Sequence, residues 1–337
     1  MSFSKIYLNN FRSFNSSSYD LGKKNLILGK NGAGKSSFLE AIFFILSKKS
    51  FRTSSLNAMI NFESSFFKVD AILDEEKFSF TKDLSSSIKS KEGNFKNNFL
   101  PLILNNFSLN LLEAPKENRR SFLDYLMFHV EHDYKTNHLK FRKALAQRNR
   151  ALKKSSSSEL KSWTKVFIEL SQKLTKMKLD FIDSFLKGFP AFVDSSSLPK
   201  TLQEKFKSIS ITYDKGWKDN LLEELRESFI KDQARGFTSL GPQTSDLSVK
   251  INEQVSGNIL SRGEQKLLIL LIYLFFVKAF NDLRPNKTIF LLDDLPSELD
   301  EKNLELALNL LQDADCQLFI TSLENLEKYK FDFVIDL

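Results

Sequence analysis

Gly29-Lys30-Asn31-Gly32-Ala33-Gly34-Lys35-Ser36 decides the fold. The eight residues fit G-x-x-x-x-G-K-[ST], the pattern of a phosphate-binding loop. Asn25-Leu26-Ile27-Leu28 before it predicts a short buried strand, and residues 36–46 after it predict a helix. Strand, glycine loop and helix are the context the pattern needs. Glycines at 29, 32 and 34 let the backbone curl with no Cβ in the way. Successive N–H groups then point inward, and the helix N-terminus adds partial positive charge. In such a loop Lys35 reaches the β- and γ-phosphates, and Ser36 offers its hydroxyl to Mg²⁺. A plain glycine turn is the competing reading, and two later motifs weigh against it.

The chain has 337 residues, 42% of them hydrophobic. That is enough for two domains, or for one domain carrying a large insertion. The 33 phenylalanines read as core filling. Cys316 is the single cysteine, so no intramolecular disulfide forms, which suits a reducing cytoplasm. No apolar run follows Met1-Ser2-Phe3-Ser4-Lys5-Ile6, so no signal peptide is expected. The longest apolar run, residues 267–280 with Lys278 inside it, is too short to span a bilayer and predicts a buried helix. Net charge is +7, but residues 135–187 alone hold fourteen Lys/Arg and four Asp/Glu, or +10. The remainder is therefore −3, since 7 minus 10 is −3. Such a concentration fits nucleic acid or a solvated helical face.

Along the chain, Lys5-Ile6-Tyr7-Leu8 alternates as an edge strand does, and Ser16-Ser17-Ser18 reads as a turn. Residues 66–73 and 77–82 predict a hairpin turning at Asp74-Glu75-Glu76. Residues 85–98 are polar and read as loop. Past Pro115 a helix is expected over 117–134 and a second over 138–154, broken by the serines at 155–158. A third carries Leu160, Trp163, Phe167, Leu170, Leu174, Met177 and Phe181. Its steps alternate three and four, a coiled-coil seam, and the short break implies an antiparallel hairpin ending at Gly188-Phe189-Pro190. Strands are expected at 208–213, 247–251, 288–293, 317–321 and 331–336, and helices at 220–232, up to 281, and at 301–311. Strand–helix alternation at both ends argues an α/β fold interrupted by a helical segment. The expected division is 1–115, 116–236 and 237–337.

Leu291-Leu292-Asp293-Asp294 ends an aliphatic run in two carboxylates. An apolar strand with an acid at its tip is how a P-loop site holds Mg²⁺, and Asp293 reads as that acid. Asp294 is placed to orient or deprotonate an attacking water. A strand ending in a solvated turn is the alternative. Ser261-Arg262-Gly263-Glu264-Gln265, just before the long apolar helix, reads as a second anion site. Ser261 and Glu264 also fit a capping box, and both readings can hold together. Nothing requires that site to serve the same nucleotide from within one chain. His129, His132 and His138 lie near Glu131 and Asp133, but no cysteine and no metalloprotease spacing accompanies them. Arg12, Arg119 and Arg120 are candidates for phosphate contact or for solvated surface.

The ordered set resembles the SMC-like class of ABC-type ATPases. Within it, Asn10-Phe11-Arg12, Ser50-Phe51-Arg52, Arg119-Arg120-Ser121-Phe122-Leu123-Asp124, Gln147-Arg148-Asn149, Gly216-Trp217, Gly241-Pro242 and Ser297-Glu298-Leu299-Asp300 resemble the RecF family across essentially the whole chain. The resemblance implies an ATPase head interrupted by a short lever arm. It makes residues 29–36 Walker A, with Ser37 beside it, Asp293 and Asp294 Walker B, and residues 261–265 a signature motif contacting ATP held by a partner subunit. Residues 297–300, ending in Asp300, become the D-loop, and Thr321 the switch. It implies ATP and Mg²⁺, a homodimer closing on single-stranded, duplex or gapped DNA, slow DNA-stimulated hydrolysis, roles in DNA repair, replication and the SOS response, and partners RecR and RecO. Two departures stand out: no glutamine occupies the region of Leu102, Ile103 and Asn105, and Gln243 follows Gly241-Pro242 where the family often has histidine. Both bear on nucleotide sensing and turnover rate. A transporter's nucleotide-binding subunit shares the three nucleotide motifs, and an ATP-binding clamp without meaningful turnover shares them too.

Overall fold

The computed structural model describes residues 2–85, 89–91, 99–131, 133–154, 157–283 and 288–337. The chain opens with β1 (Phe3–Phe11) and β2 (Phe14–Asp20), a hairpin turning at left-handed Arg12 (φ 54°). β3 (Lys24–Leu28) delivers the glycine loop to α1 (Lys35–Ser47). β4 (Phe66–Leu73) and β5 (Glu76–Asp83) form the expected hairpin, with Asp74 and Glu75 at φ 47° and 69° in a primed two-residue turn. β6 (Lys89–Lys91), β7 (Leu100–Leu104) and α2 (Asn106–Leu109) follow. β6 lies in the stretch read as loop; most of the remainder of that stretch lies outside the described residues.

Next come α3 (Lys116–Val130), α4 (Tyr134–Lys154), α5 (Ser157–Asp194), α6 (Lys200–Lys207), β8 (Ile209–Asp214), α7 (Leu221–Glu227), α8 (Phe229–Arg235), β9 (Asp246–Ile251), β10 (Gln254–Val255) and α9 (Ser256–Ile259). The chain then returns with α10 (Arg262–Leu283), β11 (Thr288–Leu292), α11 (Leu295–Glu298), α12 (Glu301–Gln312), β12 (Gln317–Ser322) and β13 (Phe333–Asp336). Two compact units result: residues 1–110 with 262–337, and residues 111–261.

The first unit is the head. Its antiparallel sheet has the order β2-β1-β4-β5-β6, and its parallel sheet the order β13-β3-β12-β11-β7. α1 is buried all round from Phe38 to Leu46 because residues of both sheets pack on it. Phenylalanine rings fill this layer edge to face: Phe44 meets Phe67 at 5.3 Å and Phe80 at 5.9 Å. Gln317 ties the sheets together, accepting from Phe3 N at 2.8 Å while its amide donates to the Phe3 and Gly22 carbonyls. β1 is interior, not an edge; β2 is the edge, and the three serines read as a turn lie within it. An edge strand needs only one ladder and tolerates small polar residues facing water.

The second unit joins an antiparallel sheet, order β10-β9-β8, to the α4–α5 hairpin. α5 does not end at Gly188-Phe189-Pro190; it runs through Pro190 to Asp194. The helix expected at 220–232 is two helices meeting at Ser228. Residues 237–261, expected in the head, belong to this unit: β9 pairs with β8 throughout, and Arg119 of α3 grips Asp246 at 2.8–2.9 Å. Among the described residues no helix is long and apolar enough to cross a membrane.

Candidate nucleotide site

Parallel β3, β12 and β11 bring their C-terminal ends together in one row. Ligands bind at that end of an open α/β sheet. The glycine loop leaves β3 here. Gly32 and Gly34 hold φ of 85° and 109°, which only glycine adopts at ease. A Cβ on Gly34 would also meet Ser13 Oγ at 2.8 Å, whereas one on Gly32 would project into open space. Lys30 and Asn31 are exposed, and Gly29 and Ala33 partly so. Lys35, 8% exposed, donates to the carbonyls of Gly29 (2.7 Å) and Lys30 (3.3 Å).

Ser36 donates to Asp293 Oδ1 at 3.0 Å, joining the hydroxyl and the acid read from opposite ends of the sequence. Thr321 on β12 donates to the same oxygen at 3.1 Å and accepts from Asp294 N at 2.7 Å. Burial holds the Asp293 carboxyl above its ordinary range, against the opposing hydrogen bonds of Ser36 and Thr321; Asp294 adds to the rise and Arg52 opposes it. Asp294 sits in the left-handed region at φ 58°, and its Oδ1 is buried with no hydrogen-bond partner. A strained acid with an orphaned oxygen at a strand tip is a candidate functional position. Ser36 and Asp293 present hard oxygen donors side by side, which fits Mg²⁺, and the open space at Gly32 fits a phosphate chain.

The signature residues make a second group. Ser261 and Arg262 are exposed, Glu264 is half-buried and Gln265 is buried. Gly263 lies so close to the D-loop that a Cβ there would be 2.2 Å from Asn303 Nδ2 and 3.3 Å from Asp300 Oδ2. Asp300 caps α12, accepting from Asn303 N at 2.9 Å and Asn303 Nδ2 at 2.6 Å, and these bonds hold its carboxyl below the usual range. Glu298 binds Lys266 at 2.8 Å and also Asn106.

Other candidates go to structural work. Arg12 grips Glu40 of α1 through two bonds of 2.8 Å; Ser50 also donates to Glu40, and Arg52 stands 3.7 Å from it and 3.3 Å from Ser37 Oγ. Glu40 is fully buried, and the sequence reading missed it. Its signal was a lone acid in an apolar helix, four residues after Ser36. Arg120 donates to the Ser245 carbonyl at 2.7 Å. His129 packs on Tyr125, and His138 on Phe128 and Tyr134; His132 lies outside the described residues. Among the described residues no metal-binding group of His, Cys, Asp and Glu occurs.

The model of the RecF/RecN/SMC N-terminal domain family matches residues 2–334. The DNA replication and repair protein RecF of Teredinibacter turnerae is 31% identical over 95% of this chain and 88% of its own length. The chain belongs to the RecF family. RecF of Pseudoalteromonas translucida is likewise 31% identical, over 96% of this chain and 92% of its own. A solved RecF–ATP structure from the RecFOR pathway has the same fold, with a TM-score of 0.79, 23% identity and 99% and 95% of the two chains covered. The Smc head of Pyrococcus furiosus follows at a TM-score of 0.52 and 15% identity, covering 99% of this chain and 92% of that one. Arg119, Asp124 and Arg148, which carried the resemblance to RecF, hold the second unit together.

Proposed function

We propose that this RecF family member is an ATP-gated DNA-binding protein of recombinational repair and replication. The observation that carries this reading is the Ser36–Asp293–Thr321 chain beside the orphaned Asp294 oxygen. In this reading the loop of residues 29–37 cradles the triphosphate, and Lys35 exchanges its carbonyl partners for phosphate oxygens. Mg²⁺ held by Ser36 and Asp293 would neutralise charge on the phosphates. Asp294 accepts the proton of the attacking water at Oδ1. An aspartate reaches less far than a glutamate, which fits slow turnover.

ATP drives dimerisation only if the dimer binds it better than the monomer does. Residues 261–265 supply that difference by touching the partner's nucleotide, with Asp300 at the same face. The DNA surface is α4. It has no acidic residue, its buried side carries Phe141, Ala144, Arg148 and Ala151, and its exposed side carries Lys135, Lys140, Arg142, Lys143, Arg150, Lys153 and Lys154. At 3.6 residues per turn these seven share an arc of about 160°. Hydrolysis then releases the dimer from DNA, and RecR and RecO are the partners expected from the RecFOR pathway in a reducing cytoplasm.

Lys35→Met and Ser261→Arg are each expected to abolish ATP-dependent dimerisation in sedimentation velocity; dimers that persist with either would sink the model in which each nucleotide is shared between two chains. Asp294→Asn is expected to trap ATP-bound dimers on DNA, and unchanged single-turnover hydrolysis in that variant would remove Asp294 from the base role.

A further inference from the structure

The second unit carries an open groove of about 1080 Å³ between the start of α5, the end of α4 and the α7–α8 pair. It is larger than the usual small-molecule site of about 300–1,000 Å³. Its floor is apolar: Leu152, Leu160, Ile168, Leu222, Leu225 and Phe229. Leu160 and Ile168 follow one stripe of α5 at i and i+8, with Thr164 between them at i+4. Leu160 also belongs to the seam read from the sequence, yet it stays half-buried while Phe167 and Leu174 of that seam are closed off. Leu222 is 39% exposed. The rim is basic. Lys161 and Lys165, one turn apart, stand on one side and Arg226 on the other, with Glu169 the one acid among the lining residues.

We infer that this groove docks an acidic amphipathic helix of a partner protein. A helix lays an apolar stripe, spaced i, i+3/i+4, i+7, into such a floor, and its flanking carboxylates meet the rim. The choice of occupant follows from the two chemistries present together. A DNA backbone has no apolar face to cover Leu222, Leu225 and Phe229, so the floor argues against nucleic acid here. An apolar helix without acids would bring no carboxylate to Lys161, Lys165 and Arg226, for which Glu169 is the one acid among the lining residues. All of the groove's lining residues belong to the second unit, and the inference does not depend on the reading of ATP chemistry.

The test uses the full chain and a fluorescein-labelled synthetic helix of about 18 residues, five turns, with leucines at helical spacing and flanking glutamates. A second peptide carries lysine in place of each glutamate. Anisotropy is expected to show saturable binding of the acidic peptide, at least tenfold tighter than the lysine peptide. Leu222→Glu should abolish it, and Lys161→Glu with Lys165→Glu should weaken it about tenfold while strengthening the lysine peptide, a charge swap that mere misfolding would not produce. Circular dichroism melts of these surface variants should match the parent. Equal binding of both peptides, or indifference to Leu222→Glu, overturns the proposal. So does duplex DNA displacing the peptide by way of Lys161 and Lys165, or self-association that Leu222→Glu removes, since the groove would then be a nucleic-acid face or a contact between copies.

Discussion

Asp293 keeps a carboxyl buried at a cost to stability. Its carboxyl is buried and raised above 3.8, its ordinary value. A raised acid holds its proton more tightly folded than unfolded. Below pH 3.8 it is neutral in both states and that preference is fully present; as pH climbs through the folded-state value the preference is lost, and a charge is left in a dry site. Asp293→Asn keeps an acceptor for Ser36 and Thr321 without that charge. Its melting temperature without nucleotide should therefore exceed the parent's at pH 7, with the gain fading toward pH 3.8, while ATP hydrolysis is lost; melts across pH together with a phosphate-release assay check both halves. Glu40 is the opposite case. It is fully buried and satisfied by Arg12, Ser50 and Arg52. Breaking a buried pair costs about 3–5 kcal/mol. Arg12 keeps 21% and Arg52 43% side-chain exposure, so Glu40→Ala should fall at the lower end, about 3 kcal/mol, measured by urea unfolding of the nucleotide-free protein.

At the scale of elements, the same trade sits inside the lever arm. Lys178 on α5 is 3% exposed and pairs with Asp124 of α3 at 2.8 Å, while Tyr134 of α4 donates to the same carboxylate at 2.7 Å. One acid thus pins three helices. Asp124→Ala should cost about 3–5 kcal/mol, and Asp124→Ala with Lys178→Met should recover much of it, because the uncompensated ammonium is then gone; unfolding of the two variants decides. That node also explains what the sequence disclosed and what it hid. The apolar stripe of α5 predicted a seam, and Phe167 and Leu174 lie on it. Ser171, Thr175 and Lys178 are buried as well, since α5 packs on α4, α6 and β8 at once. Periodicity reveals faces that need apolar partners; it cannot reveal a lysine buried by a specific acid 54 residues away. Strand β3, the loop and the Asp293 strand were legible because their chemistry is local. The second boundary of the insertion was not, because residues 247–251 read as a generic strand and only the pairing of β9 with β8 assigns them to the second unit. Pro190 misled for a similar reason: it marks an end locally, and the packing of Phe189 and Val193 carries the helix past it.

At the scale of the molecule, the head is made from chain segments on either side of the insertion, and only their union forms the candidate nucleotide site. Ser36 at the start of α1 and Thr321 on β12 both reach Asp293, Ser36 from 257 residues away in the sequence. The basic charge resides on α4, in the second unit, so the proposed nucleotide and DNA contacts can be perturbed separately. Lys143, Arg150 and Lys154 share the exposed arc of that helix. Replacing all three by glutamine removes three cations at solvated positions, where substitutions usually change stability by less than about 0.5 kcal/mol. If they touch phosphates, each contributes about 0.9 to the slope of log affinity against log salt on duplex DNA. The slope should then fall by about 2.7 if one arm of the dimer engages the duplex, and by about 5.4 if both do. Nucleotide binding should be unchanged, which separates the outcome from damage to the head. A slope identical to the parent's would move the DNA surface off α4. A fall of about 2.7 would leave the second arm free of DNA, and a fall of about 5.4 would mean that ATP closes both arms on one duplex.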